Sequence, residues 1–433
     1  MTESQFRSMY TNLTPNRVAL VDCNNFYVSC ERVFNPKLRN QGVVVLSNND
    51  GCIISRSQEA KDAGIRMGAL FHEVKRILPS MNIIPLSSNY PMYGDMSMRV
   101  METISTFSPE VEVYSIDEAF ADLTHVSDNS ISDYGSQICD RVFNWTGIPV
   151  SVGIAPTKTL AKAAALRAKK IRNGPRVHCV NNADDIIEML KATDVSDLWG
   201  IGRSHSAKLR NSGIENGLQL TSLPDQWIRS ALGATGLAVA RELRAIPCGE
   251  LEVTPPPRKG ISCTRTFPGS LISIEKLRMA VASFATRVAE KIRASSLLAG
   301  NLTLFISTGP FAEKKRSVSE THVFSCATED TILITEKALK ILEKIHAPCY
   351  EYKRAGILIS SLVAKGQGQM KLFETGDNDR TARLMTAIDD INSQMGRRTL
   401  RLCVEGFDNS WRTKREMLSP RYTTCWEELP LVR

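Results

Sequence analysis

The chain lacks the cysteine and histidine spacings that hold structural zinc. Its 433 residues include eleven cysteines but no CxxC pair, and only six histidines accompany them. Zinc ligands normally come in closely spaced pairs, so a zinc site is not expected. Cys23, Cys30 and Cys52 lie in apolar or turn contexts, where a reduced thiol acts as a small hydrophobe.

The chain also lacks an apolar run long enough to cross a bilayer. Its first sixteen residues are polar and do not show the basic-then-apolar order of a signal peptide. We therefore expect a cytoplasmic protein. The net charge of +8 favours a polyanionic partner only weakly, because many metabolic enzymes are equally basic.

The length predicts several domains, and the first is predicted to be an α+β sheet domain. Residues 17–21 form a short apolar run that predicts a buried strand ending at Asp22. Residues 111–120 alternate apolar and polar side chains like a strand, and residues 149–154 predict another. The Ala/Lys-rich stretch after it, TLAKAAALRAKK, has high helix propensity.

Paired acids occur where two of these strands end. Asp117 and Glu118 sit in the apolar context SIDEAF, and buried carboxylates require cations. Taken alone, they are equally compatible with surface acids on an edge strand. Together with Asp22 they indicate a phosphoryl-transfer site with two Mg²⁺ ions, for which Mn²⁺ could substitute. Such chemistry also needs protein cations at a triphosphate.

A helix-hairpin-helix is predicted in residues 194–214. The run Leu198-Trp199-Gly200-Ile201-Gly202 is followed by Leu209 and Gly213-Ile214. Glycines let backbone N–H groups approach a phosphate, and the next helix N-terminus adds partial positive charge. Such contacts ignore base identity. A purely structural helical hairpin is the alternative.

Residues 247–259 contain three consecutive prolines and predict an extended linker. Beyond it, residues 260–365 predict the order β-α-β-β-α-β, a two-layer domain with one open sheet face. Several cations lie near that face and make DNA contact an expectation, although helices that merely cover a sheet would give the same order. These cations are Arg258, Lys259, Arg265, Lys315 and Arg316.

The segments VDCNNFYVSCE, SIDEAF and VGIAPTKTLAK occur in order, followed by the hairpin and the linker. This combination resembles the Y-family translesion DNA polymerases, most of all their bacterial UmuC-type members and the relatives carried on mobile elements. The resemblance implies an α+β multidomain right hand. Its implied domains are a palm (17–34 and 78–170), fingers (35–77), a helical thumb with the helix-hairpin-helix (171–246), a linker (247–259), a βαββαβ little finger (260–365) and a tail (366–433).

The resemblance also implies roles for single residues. The metal ligands would be Asp22, Asp117, Glu118 and the backbone carbonyl of Cys23, and Tyr27 would be the steric gate that excludes a 2′-hydroxyl. The nucleotide would further contact the Phe26 backbone, Arg56, Lys61 and Lys158, and DNA would contact Gly200, Ile201, Gly202, Lys208, Arg258, Lys259 and Arg265. Two positions depart from many relatives, because Asn24 replaces an acid and Gln58 replaces a tyrosine.

The tail carries a further motif. Gln369-Met370-Lys371-Leu372-Phe373 resembles a sliding-clamp peptide, in which Gln369, Leu372 and Phe373 would bind the clamp. The end of the chain, PRYTTCW included, resembles the tail of UmuC-type members. That resemblance implies docking to a UmuD′-like dimer and to a RecA filament.

The resulting hypothesis is error-prone translesion DNA synthesis in an SOS-type damage response, with primer-template DNA and a dNTP as substrates. The expected location is the bacterial cytoplasm, in association with the nucleoid. Two other functions stay open. A nucleotidyl cyclase would use a similar palm and paired acids, and a catalytically silent DNA-binding or assembly subunit would share the DNA-binding elements.

Overall fold

The computed structural model describes residues 7, 10, 16–171, 176–367, 378–407 and 411–429. Two compact units make up the chain. Unit 1 comprises Met1–Pro255 and Glu416–Arg433, and unit 2 comprises Pro256–Arg415. Unit 2 is therefore inserted into unit 1, and the first crossing between them falls inside the predicted linker.

Strands and helices alternate in the first 180 residues. In chain order they are β1 (Val18–Cys23), α1 (Phe26–Phe34), β2 (Gly42–Leu46), β3 (Ile53–Arg56), α2 (Gln58–Asp62), α3 (Phe71–Val74), β4 (Ile83–Ser87), α4 (Tyr90–Ile104), β5 (Val111–Val113), β6 (Glu118–Asp122), α5 (Ile131–Thr146), β7 (Val150–Ala155), α6 (Lys158–Ala168) and β8 (Val177–Cys179).

The palm sheet has the strand order β5-β6-β1-β7-β8, and only the β7–β8 pair is parallel. Side chains on a strand alternate between the two faces. Ala19 and Val21 belong to a core with residues of α4 and α5, whereas Leu20 and Phe120 belong to a core with residues of α6. Both faces of β1 are therefore buried, which accounts for its continuous apolar run.

The fingers form a separate three-stranded sheet with the order β3-β2-β4. β4 pairs in parallel with β2, so it belongs to the fingers and not to the palm. This three-stranded sheet therefore extends to Ser87, ten residues beyond the predicted fingers boundary at residue 77. An apolar strand alone does not reveal which sheet it joins.

Residues 111–120 do not form the single strand that their alternation predicts. β5 and β6 are the two arms of a hairpin, with Val111 opposite Ala121, and residues 114–117 make the turn. Asp117 lies in that turn and Glu118 is the first residue of β6.

Helices dominate the rest of the first stretch of unit 1. They are α7 (Ala183–Lys191), α8 (Arg203–Asn211), α9 (Gly217–Thr221) and α10 (Asp225–Leu243), the last of which is kinked at Gly233. They share a core with α6. Among the described residues, no helix is long and apolar enough to span a membrane.

Unit 2 has the predicted βαββαβ order. Its elements are β9 (Gly260–Leu271), α11 (Ile274–Ala294), β10 (Leu297–Thr308), β11 (Ser317–Thr328), α12 (Thr331–Ile345), β12 (Tyr352–Ser360), the short β13 (Val363–Ala364) and α13 (Asn378–Gln394). The sheet order is β11-β10-β12-β9, and one face packs against α11 and α12. The predicted α+β multidomain fold is confirmed.

The tail adds a layer outside α11 that the sequence did not predict. Arg293 on α11 binds both oxygens of Asp389 on α13, at 2.6 and 2.8 Å. Trp411 packs edge-on against Phe284, with ring centroids 5.6 Å apart. The segment between residues 378 and 415 is therefore part of unit 2.

The last described segment, residues 416–429, is part of unit 1, and we call it the C-terminal arm. Leu418 forms a parallel bridge with Ser87 at the edge of β4. Tyr422 stacks on Phe34 at a centroid distance of 5.0 Å. The arm thus lies against the fingers and the adjoining palm helix.

The arm also satisfies a buried acid. Glu31 on α1 is 1% exposed and accepts hydrogen bonds from the Tyr93 hydroxyl at 2.6 Å and the Ser419 hydroxyl at 3.1 Å. Burial raises the pKa of Glu31, and these two hydrogen bonds oppose the rise. Asn89 in turn donates to the Ser419 hydroxyl at 3.0 Å.

Replacing Ser419 with alanine should destabilise unit 1 by about 1–3 kcal/mol, because it removes one partner each from two buried polar groups. Urea unfolding followed by tryptophan fluorescence measures the change. Ser80→Ala is the matched control, since the exposed Ser80 hydroxyl donates only to the nearby Ile77 carbonyl. Equal effects of the two substitutions would contradict the assigned role of the arm.

Candidate active site

Two carboxylates meet on one face of the palm sheet. Asp22 on β1 and Glu118 on β6 are directly opposite in the antiparallel register. Cross-strand partners of this kind project to the same face with their Cβ atoms about 4.5–5.5 Å apart. Asp22 shares its face with Leu20, so both carboxylates point towards α6, and Asp22 is only 4% exposed.

Helix α6 approaches this face closely because β7 carries glycine at the contact. A Cβ on Gly153 would lie 2.1 Å from the Ala165 nitrogen and 2.3 Å from the Ala161 carbonyl oxygen. Any larger residue would therefore displace the helix. The close approach brings Lys162, within α6, and Lys169, at its C-terminal cap, within reach of the acids.

Each acid has a lysine partner. The Lys169 ammonium lies 2.6 Å from Asp22 Oδ2, and the Lys162 ammonium lies 2.8 Å from Glu118 Oε2. Lys162 also lies over the rings of Tyr114 and Trp199, at 4.7 and 5.3 Å from their centroids. Neither lysine was predicted, although their seven-residue spacing places both on one side of the helix.

The pKa values of the two acids are shifted in opposite directions. Burial raises the pKa of Asp22 to about 7, although the Lys169 ammonium opposes the rise. Burial also disfavours the charge on Glu118, but hydrogen bonds from Asp22 and Lys162 hold the pKa of Glu118 below its ordinary value. Asp22 is therefore the acid that takes up a proton more readily, and added positive charge at the site favours its ionised form.

Asp117 is close to this pair but oriented by its own turn. The Ser115 hydroxyl donates to Asp117 Oδ1 at 2.7 Å, and the Asp117 carbonyl accepts from the Cys23 N–H at 2.8 Å. Within the described part of the chain, no three His, Cys, Asp or Glu side chains are already gathered as a metal-binding group. The donor set nevertheless fits a divalent cation, because two carboxylates converge and a lysine supplies their positive charge.

Tyr27 follows the site on α1 and is held between other aromatic residues. Its ring stacks on Tyr93, with centroids 4.5 Å apart and planes 17° apart, and meets Tyr90 edge-on at 6.0 Å. Burial raises the pKa of Tyr27, and the nearby Asp117 charge adds to the shift. The ring is thus rigid, half-buried and close to an active-site acid.

A basic cluster lies beside the carboxylates. The Lys61 ammonium donates to Asn25 Oδ1 at 2.6 Å. Burial lowers the pKa of Lys61, and the positive charges of Arg56, Lys169 and Arg176 lower it further. Of these, Lys169 and Arg176 were not predicted. Phe26 is the first residue of α1, whose N-terminus has no side-chain cap and no acid in its first turn.

Lys158 does not join this cluster. Its ammonium binds the Glu112 carboxylate at 2.5 Å and the Glu250 carbonyl at 2.6 Å, in a buried position. The predicted contact with a nucleotide is therefore not supported by the structure. Lys169, eleven residues further along the same motif, lies next to the acids instead.

Gln58 and Asn24 have local partners. Gln58 donates to Asp62 within α2 at 2.8 Å, and the buried Asn24 accepts from the Ser151 hydroxyl at 2.9 Å. Asn24 therefore braces β7 against the start of α1 and adds no charge to the site.

The helix-hairpin-helix has the expected backbone. Gly200 has a φ of +86°, and a Cβ there would lie 2.7 Å from the Val239 side chain. Ile201 is buried, and Gly202 is the N-cap of α8 without a side-chain cap. Lys208 is exposed and donates to the Ala231 carbonyl at 2.7 Å, which fixes its side chain beside the hairpin.

The cations predicted to bind DNA in unit 2 do not share one face. Arg258 and Lys259 are exposed just before β9. Arg265 has the strand parity of the buried Ile261, Cys263 and Phe267, and it lines a pocket beside α11. It therefore lies on the helix side of the sheet. Gln369, Leu372 and Phe373 of the predicted clamp peptide are outside the described residues.

Three segments of the chain match known protein families. Residues 21–166 match the impB/mucB/samB family, residues 258–372 match its C-terminal domain, and residues 382–432 match a domain of unknown function, DUF4113. The chain is 40% identical over 420 residues to the protein UmuC of Salmonella typhimurium, spanning 96% of this chain and 100% of that protein. It is 38% identical over 422 residues to ImpB of the same organism, spanning 96% and 99%.

More distant relatives have the same architecture. A DNA polymerase IV of Desulfatibacillum aliphaticivorans is 28% identical over 393 residues, spanning 90% of this chain and 96% of that protein. A solved chimera of the Y-family DNA polymerases Dbh and Dpo4 superposes with a TM-score of 0.65 at 20% identity, covering 80% of this chain and 99% of the chimera. The chain therefore belongs to the impB/mucB/samB family, in the UmuC branch of the Y-family DNA polymerases.

Proposed function

We propose that this DNA-directed DNA polymerase adds deoxynucleotides to a primer 3′-hydroxyl opposite damaged template bases, as part of an SOS-type response. The observation that carries the proposal is the Asp22–Glu118 pair beside Tyr27 and the basic cluster. This combination provides carboxylates that can bind metal ions, Lys and Arg side chains that can bind a triphosphate, and a rigid ring that can pack against the sugar.

Divalent ions, two Mg²⁺ by preference and Mn²⁺ as a substitute, would be held by Asp22, Asp117, Glu118 and the Cys23 carbonyl. When bound, they would lower the pKa of the 3′-hydroxyl and neutralise the triphosphate. In their absence Lys169 pairs with Asp22 and Lys162 pairs with Glu118, so both acids keep a compensating charge.

The basic cluster would orient the nucleotide. Lys169 contacts Asp22, and the charges of Lys169, Arg56 and Arg176 all act on Lys61. The uncapped N-terminus of α1, which begins at Phe26, can donate backbone N–H groups to phosphate oxygens. A triphosphate held this way would place its sugar over the Tyr27 ring.

DNA would be held without regard to sequence. The uncapped start of α8 at Gly202, together with Gly200, Ile201 and Lys208, suits contact with a phosphate. In unit 2, Arg258 and Lys259 are the exposed cations that support DNA contact. A sliding clamp at residues 369–373, a UmuD′-like dimer and a RecA filament complete the proposed partners, on the strength of the UmuC relatives.

Primer extension on a template with an abasic site tests the whole proposal. Extension past the lesion is the expected result. A cyclic nucleotide formed from ATP or GTP without DNA would indicate the cyclase alternative, and DNA binding without either product would indicate a silent subunit.

Replacing Glu118 or Asp117 with alanine should reduce primer extension by at least about a hundredfold, because charge stabilisation at a reacting phosphate is commonly worth that much. Binding of primer-template should stay nearly unchanged in a gel-shift assay. Glu102→Gln, on the exposed surface of α4, is the control and should extend normally. Substantial extension by either alanine variant would contradict the assignment of that acid to the active site.

Replacing Tyr27 with alanine should raise ribonucleotide incorporation relative to deoxynucleotide incorporation by at least about tenfold, which corresponds to about 1.4 kcal/mol of lost discrimination. Tyr27→Phe keeps the ring and should keep the ratio. Steady-state incorporation of a single rNTP or dNTP gives both values. An unchanged ratio in the alanine variant would argue against the gate.

Lys169→Gln and Lys158→Gln should affect different properties of the enzyme. Loss of a charge-assisted contact at the triphosphate should raise the KM for dNTP about tenfold in Lys169→Gln. Lys158→Gln should instead lower stability by about 1–3 kcal/mol, because Glu112 loses its cation, with little change in KM. Dependence of incorporation on dNTP concentration and thermal unfolding separate the two outcomes. A raised KM in Lys158→Gln and an unchanged KM in Lys169→Gln would indicate that Lys158, and not Lys169, contacts the nucleotide.

A further inference from the structure

Unit 2 contains a second concave site on the helix side of its sheet. A pocket of about 620 Å³ is lined by residues of β9 and α11 and by residues from the ranges 397–405 and 411–415. Seven of its fifteen lining residues come from the segment that matches the domain of unknown function. That segment therefore builds half of a cavity of the size that small-molecule ligands occupy.

The pocket is strongly cationic. Its lining includes seven Lys or Arg residues and only two carboxylates. The net charge of the whole chain is +8, so positive charge is concentrated at this pocket. Both carboxylates are already engaged: Glu405 binds Arg398 at 3.2 Å, and Glu290 binds Arg287 at 2.7 Å.

Four of the cations have no acidic partner among the described residues. Lys291 donates only to the Ser262 carbonyl and Arg265 only to the Thr264 carbonyl, while Arg412 and Arg415 are exposed at the opposite wall. Burial lowers the pKa of Lys291, and the positive charges of Arg287 and Arg265 lower it further. A bound anion would stabilise cations that lower one another's pKa in this way.

A buried donor at the pocket also lacks a partner. Trp411 lines the pocket and is 4% exposed, and its indole Nε1 has no hydrogen-bond acceptor within the described part of the chain. The Nε atom of Arg398 is likewise buried and unpartnered. Buried donors are nearly always paired in native proteins, so these two point to a missing acceptor.

We propose that this pocket is a binding site for a compact polyphosphate anion, such as inorganic tripolyphosphate or the triphosphate group of a nucleotide. The Trp411 and Phe284 rings are 4% and 2% exposed and offer no face for a base to stack on, which disfavours single-stranded nucleic acid as the occupant. The pocket therefore recognises phosphate groups through charge and donors. This assignment is independent of the polymerase activity proposed above.

Isothermal titration of the full chain with inorganic tripolyphosphate, without divalent ions, tests the proposal. The wild type should bind, and Arg412→Gln/Arg415→Gln should weaken the affinity at least about tenfold through the loss of two charge-assisted contacts. Arg278→Gln/Lys344→Gln removes the same charge from exposed positions on α11 and α12, outside the pocket lining, and should change the affinity less than about twofold. Trp411→Phe removes the donor without changing charge and should weaken binding about threefold or more.

Lys61→Gln/Lys169→Gln separates this site from the proposed nucleotide site, because it should retain tripolyphosphate binding in the pocket. A parallel titration with ATP identifies the source of the phosphate: equal affinity indicates recognition of phosphate alone, and tighter binding of ATP indicates a nucleotide. Both results support the proposal. Three results would overturn it: no binding by the wild type, equal weakening in the pocket and control double variants, or a pocket variant that loses affinity for single-stranded DNA and not for tripolyphosphate.

Discussion

The register of one strand pair governs the active region. Because Asp22 and Glu118 are directly opposite, their charges must share one buried face, and like charges at that distance repel by several kcal/mol in a protein interior. Two lysines relieve the repulsion. Gly153 makes this relief possible by letting α6 approach the sheet. Without metal, the acids are therefore neutralised by lysine ammonium groups. A divalent cation, with its higher charge, can replace these groups.

Much of this arrangement followed from local pattern. The strand that carries Asp22 and the βαββαβ order of unit 2 depend on hydrophobic periodicity, which the sequence displays directly. The choice between Lys158 and Lys169 depends on which side of α6 faces the acids, and that is fixed by the contact at Gly153 rather than by the motif. The placement of β4 in the fingers and the return of residues 416–429 to unit 1 depend on pairings between distant parts of the chain, which one sequence does not reveal.

The tail is two structures rather than one. Residues 378–415 extend unit 2 by covering α11, and the C-terminal arm completes unit 1 at β4 and Glu31. The region that matches a domain of unknown function spans both parts. This region therefore contributes to both units. It supplies cations to the pocket in unit 2 and a neutral hydroxyl group to the buried acid in unit 1. Arg412 lines a charged cavity, whereas Ser419, seven residues later, satisfies a buried acid.

The arm has a consequence for biosynthesis. Glu31 is translated 388 residues before its partner Ser419. At the usual rates of elongation, this separation corresponds to roughly 20–80 s on the ribosome. During that interval Glu31 has neither the Ser419 hydroxyl as a donor nor the arm as a cover. A chain released before residue 419 is translated never gains either, so it is less stable and more readily degraded.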